Sequence, residues 1–152
     1  MNQPDLFDVI DHLVAATPWT PEQVAHILGV KLERHPDSDT PTVEAWSLPA
    51  GAKAQPFEAV DLRMPDADLG DGRCFLSVTP RDAGGIDRAA VIARLGNGFR
   101  HEVPSPRYPA GTVPAYLVYD HDWGRLAIGV ANDEAGALVR FVIEGPAAAP
   151  RP

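Results

Sequence analysis

One pattern occurs twice in this chain, and a tandem pattern limits its architecture more than any other feature. Val24-Ala25-His26-Ile27-Leu28-Gly29 returns as Val91-Ile92-Ala93-Arg94-Leu95-Gly96. An Arg-His pair follows each copy, Arg34-His35 and then Arg100-His101. Beyond each pair lie a proline-containing loop and three runs with strand character. A helix, a loop and a three-stranded meander, written twice, predict an α+β fold. The units are expected over residues 5–82, with an extra N-terminal helix, and residues 86–144. Residues 145–152 are a Pro/Ala-rich tail that reads as disordered. A three-stranded meander alone buries little and leaves two open edges. The two are therefore expected to join in one six-stranded antiparallel sheet with helices on one face.

Local signals place the elements. Residues 5–16 read as an amphipathic helix, with Leu6, Ile10, Leu13 and Val14 on one face. Asp5 and Asp8 near its start suit the helix dipole. Thr20-Pro21-Glu22-Gln23 supplies an N-cap, a proline at the first helical position and a capping-box partner. Gly29 is expected to end that helix in the left-handed conformation. Asp87 is the expected N-cap of the next helix, which Gly96 closes. Loops are expected from Glu33 to Thr42 and from Asn97 to Thr112. The expected strands are residues 43–48, 57–63, 73–79, 113–119, 125–131 and 137–144.

Alternation assigns faces to these strands. Val60, Leu62 and Met64 share one face, as do Leu126, Ile128 and Val130, and Val139, Phe141 and Ile143. That face is apolar and should carry the helices. The other mixes small residues, arginines and apolar side chains, where a merely solvated face would carry more Lys, Glu and Thr. Trp46 and Tyr116 fall in the first strand of each half, and Phe75 in the third strand of the first. Facing outward beside Arg63 and Arg140, they would be aromatic and arginine anchors of an interface. Facing inward, they would be core.

Two tandem units of this kind resemble the β-lactamase inhibitory protein fold, whose module occurs singly in the small lipoprotein of the outer-membrane assembly machine. The likeness rests on the V-x-x-x-L-G-like helix endings at residues 24–29 and 91–96 and on the aromatics Trp46 and Tyr116. It covers roughly residues 18–144. The resemblance implies a non-enzymatic scaffold whose exposed sheet face grips another protein.

Charge narrows the partners. The formal net charge is -8. Through Gly84 there are 14 acidic residues against 6 basic ones; from Gly85 onward there are 7 of each. An acidic chain is poorly suited to neutralising phosphates, so direct nucleic-acid binding is not expected. A basic protein partner is, because complementary charge speeds encounter. No run reaches the length of a membrane span, and the first residues lack a signal-peptide pattern. With one cysteine, Cys74, this points to the cytosol.

Catalytic and metal patterns are weak. His12, His26, His35, His101 and His121 have no metal-ligand spacing. Asp120-His121-Asp122 reads better as strand end and hairpin turn than as a general-base cluster. Asp66, Asp68 and Asp71 only faintly follow a calcium loop, because Gly70 stands where the third ligand belongs. Cys74 reads as a small buried hydrophobe. No cofactor or metal is therefore expected. The first functional expectation is an inhibitor or immunity protein acting by occlusion. Its expected binding residues are Trp46, Arg63, Phe75, Tyr116 and Arg140 on the sheet, with Asp37 and Asp39 on the adjoining loop. The second is a chaperone or adaptor of a secretion or assembly system. The third is a small-molecule binder or enzyme using a groove where the two Arg-His loops converge. No residue pattern fixes an oligomeric state.

Overall fold

A computed structural model of the chain describes residues 5–17, 19–35, 43–49, 57–65, 73–82, 85–103, 107 and 113–146. Helix α1 spans Leu6–Ala15, capped by Asp5, whose side chain accepts from the Phe7 amide. Helix α2 spans Pro21–Leu28 and begins on the predicted capping box. Thr20 Oγ1 accepts from the Gln23 amide at 3.2 Å, and Gln23 Oε1 accepts from the Thr20 amide at 3.1 Å. Gly29 ends it at φ 67°. Helix α3 spans Arg88–Leu95, and the Asp87 side chain accepts from the Ala90 amide. Among the described residues, no helix is long and apolar enough to cross a membrane.

Among the described residues, eight strands form one antiparallel sheet: β1 (Glu33–Arg34), β2 (Val43–Ser47), β3 (Phe57–Pro65), β4 (Arg73–Pro80), β5 (Arg100–Glu102), β6 (Ala115–His121), β7 (Gly124–Val130) and β8 (Leu138–Pro146). Their order is β1-β2-β3-β4-β8-β7-β6-β5. The expectation of six strands is corrected to eight. The two additions are β1 and β5, which lie within segments read as loops. They are only two and three residues long, too short to show alternation, and they sit at the sheet's outer edges. Gly145 and Pro146, assigned to the tail, extend β8. The rest of the tail, the acidic turn with Asp66, Asp68 and Asp71, and the loop with Asp37 and Asp39 lie outside the described residues.

The strand order reads the same from either edge, and the halves meet where β4 pairs with β8. Register puts Leu62, Leu76, Ile143, Leu126 and Tyr119 in one cross-sheet row, all buried. The same face carries Val78, Phe141, Ile128 and Leu117 in the next row. Leu6, Val9, Ile10 and Leu13 of α1, Val24 and Leu28 of α2 and Val91 of α3 join these strand residues in one core. The helices therefore cover one face. Helix α1 touches α2 on one side. On the other, Arg94 of α3 lies 2.6 Å from Asp11, with its guanidinium 5.8 Å from the Phe7 ring centre. Helix α1 thus lies between α2 and α3.

Two β-bulges modify the predicted faces. In β3 the register shifts between Phe57 and Ala59, leaving Glu58 as the extra residue and turning Phe57 into the core. Between β7 and β8, Gly129 opposes Arg140 while Val130 opposes Leu138. Val139 is the extra residue, so Leu138 enters the core in the place expected for Val139. Strict period-two alternation misassigns a side chain at each bulge.

Candidate functional site

The face of the sheet opposite the helices has register rows that run from one half of the chain into the other. One row reads Ala45, Arg63, Phe75, Glu144, Arg125, Asp120. The next reads Glu33, Ser47, Asp61, Ser77, Val142, Ala127, Val118, Arg100. On the second half a third row places Arg140, Gly129, Tyr116 and Glu102 side by side. Arg63, Phe75, Tyr116 and Arg140 therefore share the open face.

Trp46 does not. It pairs with Leu62, a core residue, and so lies on the helix side. There it packs against the core and lines a groove of about 430 Å³ with Pro21, Glu22, Ala25, Val30, Lys31 and Leu32. Its indole Nε1 is buried without a hydrogen-bond partner. Trp46 and Tyr116 thus point to opposite sides of the sheet and are not equivalent anchors.

The arginines of the open face differ in their neighbours. Arg63 Nε lies 3.3 Å from Asp61 on its own strand. Arg125 Nε lies 3.6 Å from Glu144, its cross-strand neighbour. Arg100 donates to Asp120 at 2.7 Å and to Glu102 at 2.9 Å. The Arg100 guanidinium holds the Asp120 carboxyl below the usual carboxylate range. Arg140 has no ion-pair partner among the described residues, and its Nε is buried without an acceptor. Tyr116 lies beside it. A Cβ placed on Gly129 would stand 2.9 Å from the Tyr116 ring and 3.3 Å from Arg140 Cγ. The ring and the arginine stem thus occupy the space a side chain at Gly129 would need.

Apolar surface on this face is limited. Val118 and Ala127 face the open side yet are only 2% and 8% exposed, and Phe75, Tyr116 and Val142 are half-buried. The only exposed large hydrophobic residue among those described is Val103.

The Arg-His pairs do not converge. Arg34 belongs to β1 and Arg100 to β5, at opposite edges of the sheet. Seven strand spacings separate those edges, roughly 34 Å. His101 pairs with Leu117 on the helix side, where it meets Phe99 edge to face. The groove expected between the two loops is therefore corrected: these residues form two separate edges. Asp120-His121-Asp122 likewise divides. Asp120 engages Arg100, His121 stacks on Trp123 at 5.0 Å, and Asp122 lies in the two-residue turn.

Two histidines that sequence spacing did not connect line one groove. His12 of α1 and His26 of α2 border a space of about 480 Å³ with Ala15, Ala16 and Ile27. Among the described residues no three His, Cys, Asp or Glu side chains are grouped to hold a metal ion. Cys74 is buried, 3.5 Å from the Met64 sulfur, and burial pushes its thiol up to about 11. A thiol so disposed is a poor nucleophile. No family model, curated protein or solved structure matches this chain.

Proposed function

We propose that this chain is a non-enzymatic protein-binding module that docks another protein on its open sheet face. The observation that carries the reading is the placement of Arg63, Phe75, Tyr116 and Arg140 on one face, the first two in one register row and the last two in a row two steps along the strands. Aromatic and arginine side chains dominate interface energetics, and a sheet backed by a packed core presents them without further ordering cost. Occlusion of a toxin or enzyme by a cytosolic inhibitor or immunity protein is the most specific form of this proposal. The net charge of -8 favours a partner that is basic overall, attracted first by the acidic half. We further propose that the two halves are duplicated units, a reading supported by the palindromic strand order.

Alanine at Arg63, Phe75, Tyr116 and Arg140, singly and together, tests the reading against a captured partner. A true anchor is expected to cost about 2 kcal/mol or more in binding. Unchanged affinity in the fourfold variant would overturn the assignment. The groove at Trp46 favours a second reading, a chaperone or adaptor that takes an extended segment beneath α2. Trp46→Ala separates the two. It spares binding if the open face docks the partner and abolishes it if the groove holds a segment.

A further inference from the structure

We infer that the open face recognises a carboxylate, an Asp or Glu side chain of the partner, at Arg140. The inference rests on the open-face reading and names the chemistry at its centre. Arg63, Arg100 and Arg125 each have an acidic neighbour within ion-pair distance. Arg140 has none among the described residues, and its Nε lacks an acceptor. Its strand, β8, is one of the two central strands of the sheet.

The surroundings leave that charge for an incoming group. Gly129 opposes Arg140 and brings no side chain, and Tyr116 stands next in the row. The closest acid along this row is Glu102, beyond Tyr116, and it is engaged by Arg100. The arginine stem lies beside the place where a Gly129 side chain would stand, and the Tyr116 ring borders the same space. With Nε buried, the end of the arginine is the part left to a carboxylate, which accepts two N–H groups at once from the terminal nitrogens. A lysine or arginine of the partner would instead meet an uncompensated like charge. The partner can still be basic overall, because net charge governs approach while this contact governs fit.

The test uses the full chain with its arginine side chains observed by ¹H–¹⁵N NMR. The probes are two capped peptides, acetyl-Gly-Glu-Gly-amide and acetyl-Gly-Gln-Gly-amide. The Glu peptide is expected to move the Arg140 Nε–H resonance saturably. The Gln peptide, lacking the charge, should bind about tenfold more weakly or not at all. Arg63, Arg100 and Arg125 should stay in place. Arg140→Gln, which keeps most of the stem, should abolish the response, and Arg140→Lys should weaken it. No movement of Arg140, equal effects of both peptides, or equal shifts at all four arginines would each overturn the inference. These outcomes are separable from failure of the docking face, which partner capture by the fourfold variant reports.

Discussion

At the residue scale, Gly129 and Tyr116 show how an open face is kept ordered. Glycine inside a strand has no side chain to pack and gives up more chain entropy on folding. Here the Tyr116 ring borders the vacated space, and a Cβ at Gly129 would stand 2.9 Å from it. Gly129→Ala should therefore push the ring aside. The expected cost is about 1–3 kcal/mol of stability, read by denaturant unfolding. Tyr116→Ala should rescue much of that loss by removing the clash, and additive losses in the double variant would refute the coupling. Cys74 makes a second residue-level case. Its folded-state thiol holds its proton up to about pH 11, whereas the unfolded thiol has its ordinary value of 9.0. Between these values the folded state keeps a proton that the unfolded state releases. Stability contributed by the neutral thiol is therefore complete below about pH 9 and is lost as pH rises toward about 11. Cys74→Ala should flatten that part of the pH–stability profile, and an identical slope in the variant would show that other groups cause it.

At the scale of elements, legibility followed the length of the signal. The start of α2 could be read from Thr20-Pro21-Glu22-Gln23 because a capping box is a local hydrogen-bonding pattern of four residues with their own backbone. Strands β3, β4, β7 and β8 could be read because seven to nine residues give alternation room to show. Strands β1 and β5 could not, since two or three polar residues at an edge look like loop. Trp46 was illegible for another reason. Strand β2 runs Val-Glu-Ala-Trp-Ser, and both its faces carry partly or fully covered residues, so hydropathy does not choose between them. Strand β5 has its own electrostatic test. Asp120 accepts from Arg100, which holds the carboxyl low. A carboxyl with a depressed folded pKa supports the fold above its unfolded value and loses that support as pH falls through the folded one. Arg100→Ala should bring Asp120 back to the ordinary aspartate range in an NMR titration of its carboxyl carbon. Amide exchange should then quicken at residues 100–102 more than in β7 or β8. An unmoved titration would place the cause elsewhere.

At the scale of the whole molecule, the seam between halves matters more than either half. Strand β4 lends β8 a full partner edge, with six residue pairs in register from Arg73 and Pro146 to Val78 and Phe141. One continuous core joins Leu62 and Leu76 of the first half with Ile143 and Phe141 of the second. Helix α1 belongs to the first half in sequence but reaches α3 of the second through Asp11 and Arg94. Its C-terminal end also approaches the end of β8, since Thr17 Cγ2 lies 3.5 Å from a Cβ placed on Gly145. A chain cut at the joint would strip β8 of one of its two neighbours, β4, and take from Phe141 and Ile143 the first-half residues of the core they share. Exposed strand edges with apolar flanks pair with whatever offers a complement. Residues 85–152 alone should therefore be unfolded or self-associated at micromolar concentration. Co-expression with residues 1–82 should restore a 1:1 complex with the intact chain's circular dichroism. Size-exclusion chromatography with light scattering distinguishes these states. A folded, monomeric 85–152 fragment would mean that each half closes its own core. The open face would then be a surface of two independent modules, and binding anchored at Arg140 should survive removal of Arg63 and Phe75 with the first half. A shared core predicts the reverse, because the row that joins Arg63, Phe75, Glu144 and Arg125 exists only while β4 and β8 are paired.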